Sequence, residues 1–460
     1  MTATEAKTPA DTTHNTTAEQ GGQTTVRPAL GDAEAFDLVE RFGSPVFVYD
    51  FDAIEARVRA LQAVLPPVVD LTFALKANPA LAVVNWLGRL GLGADVASAG
   101  ELATALRAGI EPDRIVLTGP GARDDELRAA VSVGIRAITV ESPGELDRLE
   151  RIVAADGRNG PVPILLRAST AAAPWRREHA GGQAIDDGSG KFGMDADDVR
   201  TCARRAKASS RLDLLGLHAF GWSNVLNADV LADHVETTVD AAIELARRLG
   251  MPLRLIDAGG GLGIPYGPGE PTLDLARFGD RLARVVIGWA DDPLTKDARL
   301  LLEPGRYFVG PAGRYLARVV DTKTLAGRPT IVLDGGIHHL LRPTLVGREH
   351  GLRLRRRRLV DDGRLDPRLD GRLDPRPTTV AGPLCTGLDV FGRDVLLPPA
   401  APGDLLEVRD VGAYGFTESM PLFLSHPMPA EVALRDGRAE LIRPRLEPES
   451  WLKVQRVPSW

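Results

Sequence analysis

From residue 71 to about residue 305 the chain repeats one pattern: a short β-type apolar run, then a stretch with helical periodicity such as AGELATALRAG or DAAIELARRLG. Eight such runs can be read: LTFAL (71–75), ADVA (94–97), RIVLT (114–118), AITV (137–140), PILLR (163–167), LLGLHAF (214–220), LRLID (253–257) and RLLLE (299–303). A helix after each strand returns the chain to the starting edge of the sheet, so the strands run parallel. Eight of them over roughly 235 residues match the size of a (β/α)8 barrel, with an open doubly wound sheet as the structural rival.

Past residue 310 the texture changes. Runs such as GRYLARVVDTK, PTIVLDGG, DLLEVRD and RAELIRPR alternate in period two, with few helical stretches between them. The fold class expected is α/β, a (β/α)8 TIM-like barrel plus a C-terminal all-β domain. The divisions expected are a disordered tail over residues 1–30, the barrel over 31–310 and the β domain over 311–460. The strand-like GSPVFVYD (43–50) reads as a piece of the β domain, so that residues 31–50 partly join it. GRLDPR occurs at 363–368 and again at 371–376, just after the arginines 355–358, and marks a solvated, low-complexity insertion near residues 350–378.

Composition narrows the partners. A chain of 460 residues that is 44% hydrophobic has material for a large core, and its net charge of −6 gives no basic footprint for nucleic acid. Cys202 and Cys385 stand far apart without a CxxC or Cys/His pattern, so neither a disulfide framework nor a metal site is expected, and a cytoplasmic location fits. The first 25 residues lack the basic start and apolar core of a secretory signal. No apolar run reaches the roughly 18 residues of a membrane span.

In a barrel, catalytic groups sit at the C-terminal ends of the strands, where loops converge on one ligand. The unusual residues fall there. Lys76 follows the first run and precedes an Asn-Pro turn, Asp95 and Ser98 belong to the second, His218, Phe220 and Ser223 to the sixth, DAGGGLG (257–263) to the seventh and EPGR (303–306) to the eighth. Glycines after the seventh and eighth strands let backbone N–H groups approach an anion, a role that suits Gly259, Gly260, Gly261 and Arg306. A dinucleotide loop is the competing reading of GGGLG, but the spacing is not GxGxxG and IPYGPG follows at once, leaving no helix N-terminus for a pyrophosphate. A lysine, a phosphate cradle and an acidic residue at three strand ends point to pyridoxal 5'-phosphate. Lys76 is then the covalent anchor and Glu303 the group that keeps the pyridine nitrogen protonated.

The chain resembles the alanine-racemase-fold (fold-type III) decarboxylases dependent on pyridoxal phosphate, the family of diaminopimelate and ornithine decarboxylases. The resemblance covers roughly residues 40–435 and rests on FALKANP, GADVASAGEL, ITVESPGEL, KFGM, DAGGGLGIPY, EPGRY, LRPTL, GPLCTGLD and GAYG in this order. It implies that Lys76 and Asp95 serve the cofactor, and that Ser223, Gly260, Gly261, Gly305, Arg306 and Tyr414 surround its phosphate. Glu303 meets the ring nitrogen. The resemblance also implies a homodimer with shared active sites, in which Cys385 comes from the partner subunit and protonates the α-carbon after carbon dioxide leaves. Arg342 addresses a substrate carboxylate, with Thr386 and Asp389 at the substrate's far end.

Three positions depart from the family's usual pattern. HAFGWS (218–223) stands where H-x-H-x-G-S is common, so Phe220 replaces a histidine as the stacking ring and Trp222 replaces a glycine. Thr386 stands where an acidic residue reads a distal amine, and Val346 where a tyrosine follows RPTL. These changes keep the cofactor chemistry and rewrite the distal pocket. The reading is α-decarboxylation of a small amino acid, carried on an acyl carrier protein or otherwise derivatised, in a specialised pathway. Its alternatives are meso-diaminopimelate decarboxylation in lysine biosynthesis, a racemase on the same barrel, and a catalytically silent cofactor-binding regulator.

Overall fold

The computed structural model describes residues 30–157, 160–170, 183–184, 190–348, 350–357 and 374–460. The N-terminal tail and nearly all of the GRLDPR repeat lie outside these residues. Besides the two-residue strands Gln183–Ala184 and Trp222–Ser223, which pair with each other, nine strands take the chain through its first two thirds: β1 (Val46–Asp50), β2 (Val69–Ala74), β3 (Gly93–Val96), β4 (Ile115–Leu117), β5 (Ala137–Val140), β6 (Val162–Arg167), β7 (Leu212–His218), β8 (Leu255–Asp257) and β9 (Arg299–Leu302). Strands β2 to β9 form a closed barrel in sequence order. Every neighbouring pair is parallel, and β9 meets β2 through Leu300–Val69 and Leu302–Leu71. That closing register excludes the open sheet.

The helices between the strands start where the sequence caps them. Ser98 accepts from the Glu101 N–H at 3.2 Å and opens Ala99–Arg107, while Ser142 accepts from the Glu145 N–H at 3.0 Å and opens Pro143–Asp156. Each glutamate reaches back to a backbone N–H, that of Ala97 or Glu141, at 2.8 Å. SAGEL and SPGEL are therefore helix-start motifs, and a cap of this kind contributes about 1 kcal/mol. Ser98 serves here as a cap.

The remaining strands build a nine-stranded mixed sheet with β1. They are β10 (Gly313–Leu325), β11 (Arg328–Leu333), β12 (Leu352–Arg355), β13 (Arg376–Ala381), β14 (Val390–Leu397), β15 (Leu405–Arg409), β16 (Ala430–Arg435) and β17 (Arg438–Arg443). Strand β1 lies between β10, antiparallel, and β16, parallel. Its five residues are all buried, as a central strand covered on both faces requires. Arg355, the first of the arginine run, is not part of a free basic patch: it is buried and pairs with Glu407 at 2.7 Å and Asp32 at 2.6 Å. Among the described residues, no helix is long and apolar enough to cross a membrane.

Candidate active site

Period-two alternation gathers the polar groups at one rim. Val116, Ala137, Leu165, Leu255 and Leu301, one from each of five barrel strands, pack with Leu215 in a cluster separate from the layer under the helices. Two residues further along the same strands stand Thr118, Thr139, Arg167, Asp257 and Glu303, all buried. Glu141 lies two residues beyond Thr139 and pairs with Arg167 at 2.6 Å. It also accepts from the Gly193 N–H at 3.2 Å, which fixes the KFGM loop against the rim. Sequence reading missed Thr118, Glu141 and Arg167, although the same two-residue step would have found them.

A cavity of about 890 Å³ opens here. Its inner wall carries Lys76, His218, Phe220, Glu303 and Arg306, and its outer wall Arg342, Val346, His350, Tyr414 and Glu418. Lys76 Nζ lies 3.1 Å from Asp95 Oδ2 and 5.8 Å from the centre of the Phe220 ring. Burial pushes the amine down, but the Asp95 and Glu303 carboxylates outweigh it and hold Lys76 above its ordinary value. Burial and the Glu303 charge push Asp95 up to about 6 despite the lysine. Burial, then repulsion from Glu303, pushes Asp257 well above the ordinary carboxylate range. Both effects favour the protonated form of Asp257 beside Glu303. Burial and the Arg167 charge hold His218 neutral, 3.7 Å from Glu303 Oε2. One atom each of His218, Asp257 and Glu303 falls within a 4.8 Å group.

The residues fit pyridoxal phosphate. Arg306 is buried and donates to the Tyr266 hydroxyl at 2.6 Å and the Ser223 hydroxyl at 3.3 Å, with no carboxylate partner among the described residues. A buried guanidinium with only neutral partners calls for an anion. Gly260, Gly261 and Gly305 line the same recess. A Cβ on Gly260 would come within 2.5 Å of the Glu303 carbonyl oxygen, and one on Gly305 within 2.8 Å of the Ala77 Cβ. Gly259 has φ +64°, and a Cβ there would strike the Phe220 ring at 2.7 Å, so the glycine lets that ring lie against the turn. Deeper in, Glu303 Oε1 and Asp95 Oδ1 are buried without partners among the described residues, as positions facing a polar ring would be.

The outer wall comes from the β-sheet region. Asn78, two residues after Lys76, donates to the Gly412 carbonyl at 2.9 Å, and the Tyr414 N–H donates to the Ala77 carbonyl at 2.7 Å. These bonds hold Tyr414 at φ +54°, a conformation rare for a bulky residue. Its ring lies between two guanidiniums, with Arg306 at 4.7 Å and Arg342 at 4.6 Å from its centre. Arg342 Nη1 pairs with both oxygens of Glu418, at 2.8 and 3.1 Å. Glu418, Tyr266 and His350 carried no signal of their own in the sequence.

Three of the sequence-derived positions lie away from this cavity in the single chain. Cys385 is exposed and Thr386 half-buried on the loop between β13 and β14. Asp389 is buried, and its carboxylate accepts from the Ile337 N–H at 2.8 Å and the Leu384 N–H at 2.7 Å. It ties that loop to the segment after β11 rather than facing the cavity.

Comparison with known proteins agrees with this geometry. Residues 51–310 match the pyridoxal-binding domain of the pyridoxal-dependent decarboxylases. The chain is 33% identical to the L-glutamyl-[BtrI acyl-carrier protein] decarboxylase of Niallia circulans, over 90% of this chain and 94% of that protein. It is 35% identical to the diaminopimelate decarboxylase of Methanothermobacter thermautotrophicus, over 94% and 96%. The crystal structure of Helicobacter pylori diaminopimelate decarboxylase complexed with L-lysine superposes with a TM-score of 0.79 at 28% identity, covering 91% of this chain and 98% of the other. With a matched domain over more than half its length and relatives along nearly all of it, the chain belongs to the fold-type III pyridoxal phosphate-dependent amino-acid decarboxylases, the diaminopimelate and ornithine decarboxylase family.

Proposed function

We propose that this decarboxylase removes the α-carboxylate of an amino acid whose far end is joined to a carrier protein or another large group, in a specialised biosynthetic pathway. The observation that carries this reading is the outer wall: Leu345 and Val346 face the cavity there, and its arginine, Arg342, is already paired. The relative named for a carrier-linked glutamyl substrate supports the same choice. Decarboxylation of meso-diaminopimelate is the second reading, favoured by the relative of that name at similar identity.

Pyridoxal phosphate bound here supplies an attachment point for the substrate amine and an electron sink for the bond that breaks. Lys76 is the anchoring amine, held at the mouth of β2 by Asp95. Arg306, Ser223 and the glycine turns bind the phosphate end, and Glu303 holds the ring nitrogen's proton. Asp257, pushed toward its protonated form by burial and by Glu303, gives Glu303 a neighbour that competes less for that role. His218 stays neutral and adds no charge near the ring. Phe220 offers a flat face in place of the imidazole common in relatives. Cys385 returns a proton to the α-carbon across a homodimer interface, which accounts for its exposure in the single chain.

The test is carbon dioxide release by the cofactor-loaded protein with meso-diaminopimelate, lysine, ornithine and a glutamyl-carrier protein compared side by side. Release from the carrier-linked substrate alone is expected. Efficient release from free meso-diaminopimelate would replace this reading with the second.

A further inference from the structure

The charges on the cavity's outer wall are matched one to one. Arg342 is paired with Glu418 at 2.8 Å, and Arg348 with Glu270 at 3.8 Å. Deeper, Arg167 is paired with Glu141 at 2.6 Å. Arg306 is the contrast, since only neutral hydroxyls meet it. Leu345 and Val346 follow Arg342 on one short helical turn, Arg342–Val346, and add apolar surface beside the pair. Glu418 reaches the cavity from a short turn, Phe416–Glu418, anchored by Ser419, whose hydroxyl donates to the Gly415 carbonyl at 2.8 Å and accepts from the Leu341 N–H at 3.0 Å. That double anchor fixes Glu418 against the arginine.

We infer that Glu418 is a specificity-determining residue: by neutralising Arg342 it makes the far end of the cavity charge-neutral, so the site takes amino acids whose side chain ends in an uncharged acyl group such as an ester, thioester or amide. This deepens the proposed function and rests on it. A free distal carboxylate approaching Arg342 would meet the Glu418 carboxylate already held on Nη1, so it would face a like charge beside a cation that is already neutralised. A distal ammonium could reach Glu418 only at the matching loss to Arg342. An uncharged acyl end disturbs neither. Discrimination here comes from a penalty against the wrong ends more than from a new attraction to the right one.

The experiment compares the cofactor-loaded wild type, Glu418→Gln and the double variant Glu418→Gln/Arg342→Gln. Glutamine keeps the size of the side chain and can still accept a hydrogen bond from Arg342, so folding is not at stake. The substrates are L-glutamate, with an anionic end, its γ-methyl ester, with an uncharged end, and meso-diaminopimelate, with a zwitterionic end. Glutarate binding, read by calorimetry, reports the distal charge without any reaction. In Glu418→Gln the ratio of kcat/KM for glutamate to that for the ester is expected to rise about tenfold or more through KM, and glutarate to bind about tenfold tighter, with both gains cancelled in the double variant. Ratios and glutarate affinity within about twofold of wild type would overturn the inference. So would a wild type that prefers meso-diaminopimelate to the ester and loses that preference in Glu418→Gln, because Glu418 would then read a distal amine. Absence of carbon dioxide release from all three small substrates would leave the decarboxylase reading to the carrier-linked comparison above, and glutarate binding would then decide the role of Glu418.

Discussion

The two walls of the cavity are built on different principles. The inner wall stands on the ends of barrel strands, where backbone ladders fix each side chain and the groups are charged or hydrogen-bonded in ways that match one ligand: Lys76 to Asp95, Asp257 beside Glu303, and Arg306 among hydroxyls. The outer wall stands on turns that cross from the β-sheet region and are held at the rim by a few long-range bonds, those of Asn78 with Gly412 and of Tyr414 with Ala77. A rigid inner wall suits chemistry that is the same for every substrate. Loop-borne walls change more readily, and Val346, one of the departures from the family pattern, lies there, while Phe220 shows that the inner wall has changed as well.

The largest effect tests whether the inner wall works as one covalent site. Lys76→Ala is expected to abolish cofactor attachment, read from absorbance, and to lower carbon dioxide release by roughly 10⁴-fold or more, the scale seen when an essential group is removed. Arg306→Ala comes next, because a buried cation facing a phosphate is worth several kcal/mol. Cofactor affinity should fall by about 10²-fold in a titration of the cofactor-free protein. Were affinity to hold, the anion site would lie elsewhere and the equivalence of Arg306 with a phosphate clamp would be lost.

A third variant asks whether a partner chain completes the outer wall. Cys385→Ala alone should slow turnover by about 10- to 10²-fold, the range for loss of a general acid. Lys76→Ala and Cys385→Ala chains, unfolded together and refolded in equal amounts, should recover about a quarter of wild-type activity, since half the dimers are mixed and each carries one intact site. No recovery would mean that Cys385 does not act across an interface.

The two walls were also unequally legible in the sequence. All eight barrel strands could be read because apolar runs and helical periodicity alternate without interruption, and a strand's period of two places its last residues at the rim. The same rule reaches Arg167 once the inward residue Leu165 is known, and Glu141 by way of Thr139 once Ala137 is known. Glu418 and His350 had no such rule, because their positions depend on contacts with residues tens to hundreds of places away: Glu418 with Arg342, and His350 with Arg409. Asp389 shows the converse. Its place four residues after Cys385 gave it a substrate role in the sequence, while its carboxylate in the folded chain is engaged by two backbone N–H groups.

Acid offers the finest separation of the two walls, through the sign of their titrations. On the outer wall, burial lowers His350 from 6.5 to about 4, and in the β-sheet region away from the cavity it lowers His338 to about 4 as well, with help from the nearby His426 ring. A histidine depressed in the fold contributes stability that is complete above pH 6.5 and is lost as the pH falls toward 4, because the unfolded chain binds the proton that the folded chain refuses. Asp95 on the inner side has the opposite sign. Raised to about 6, its contribution is complete below its ordinary value of 3.8 and fades as the pH rises through 6. His338 isolates the histidine effect outside the cofactor site, since its ring is fully buried and neither nitrogen has a hydrogen-bond partner among the described residues. His338→Phe keeps the ring's bulk and removes the proton site. Its melting midpoint at pH 7 should equal or exceed that of the wild type, and the loss between pH 7 and pH 5 should be smaller. Equal losses in the two proteins would show that acid enters through other depressed histidines, such as His350, instead. The distinction between a charged inner wall and a neutral outer one would then have to be drawn from Glu418 alone.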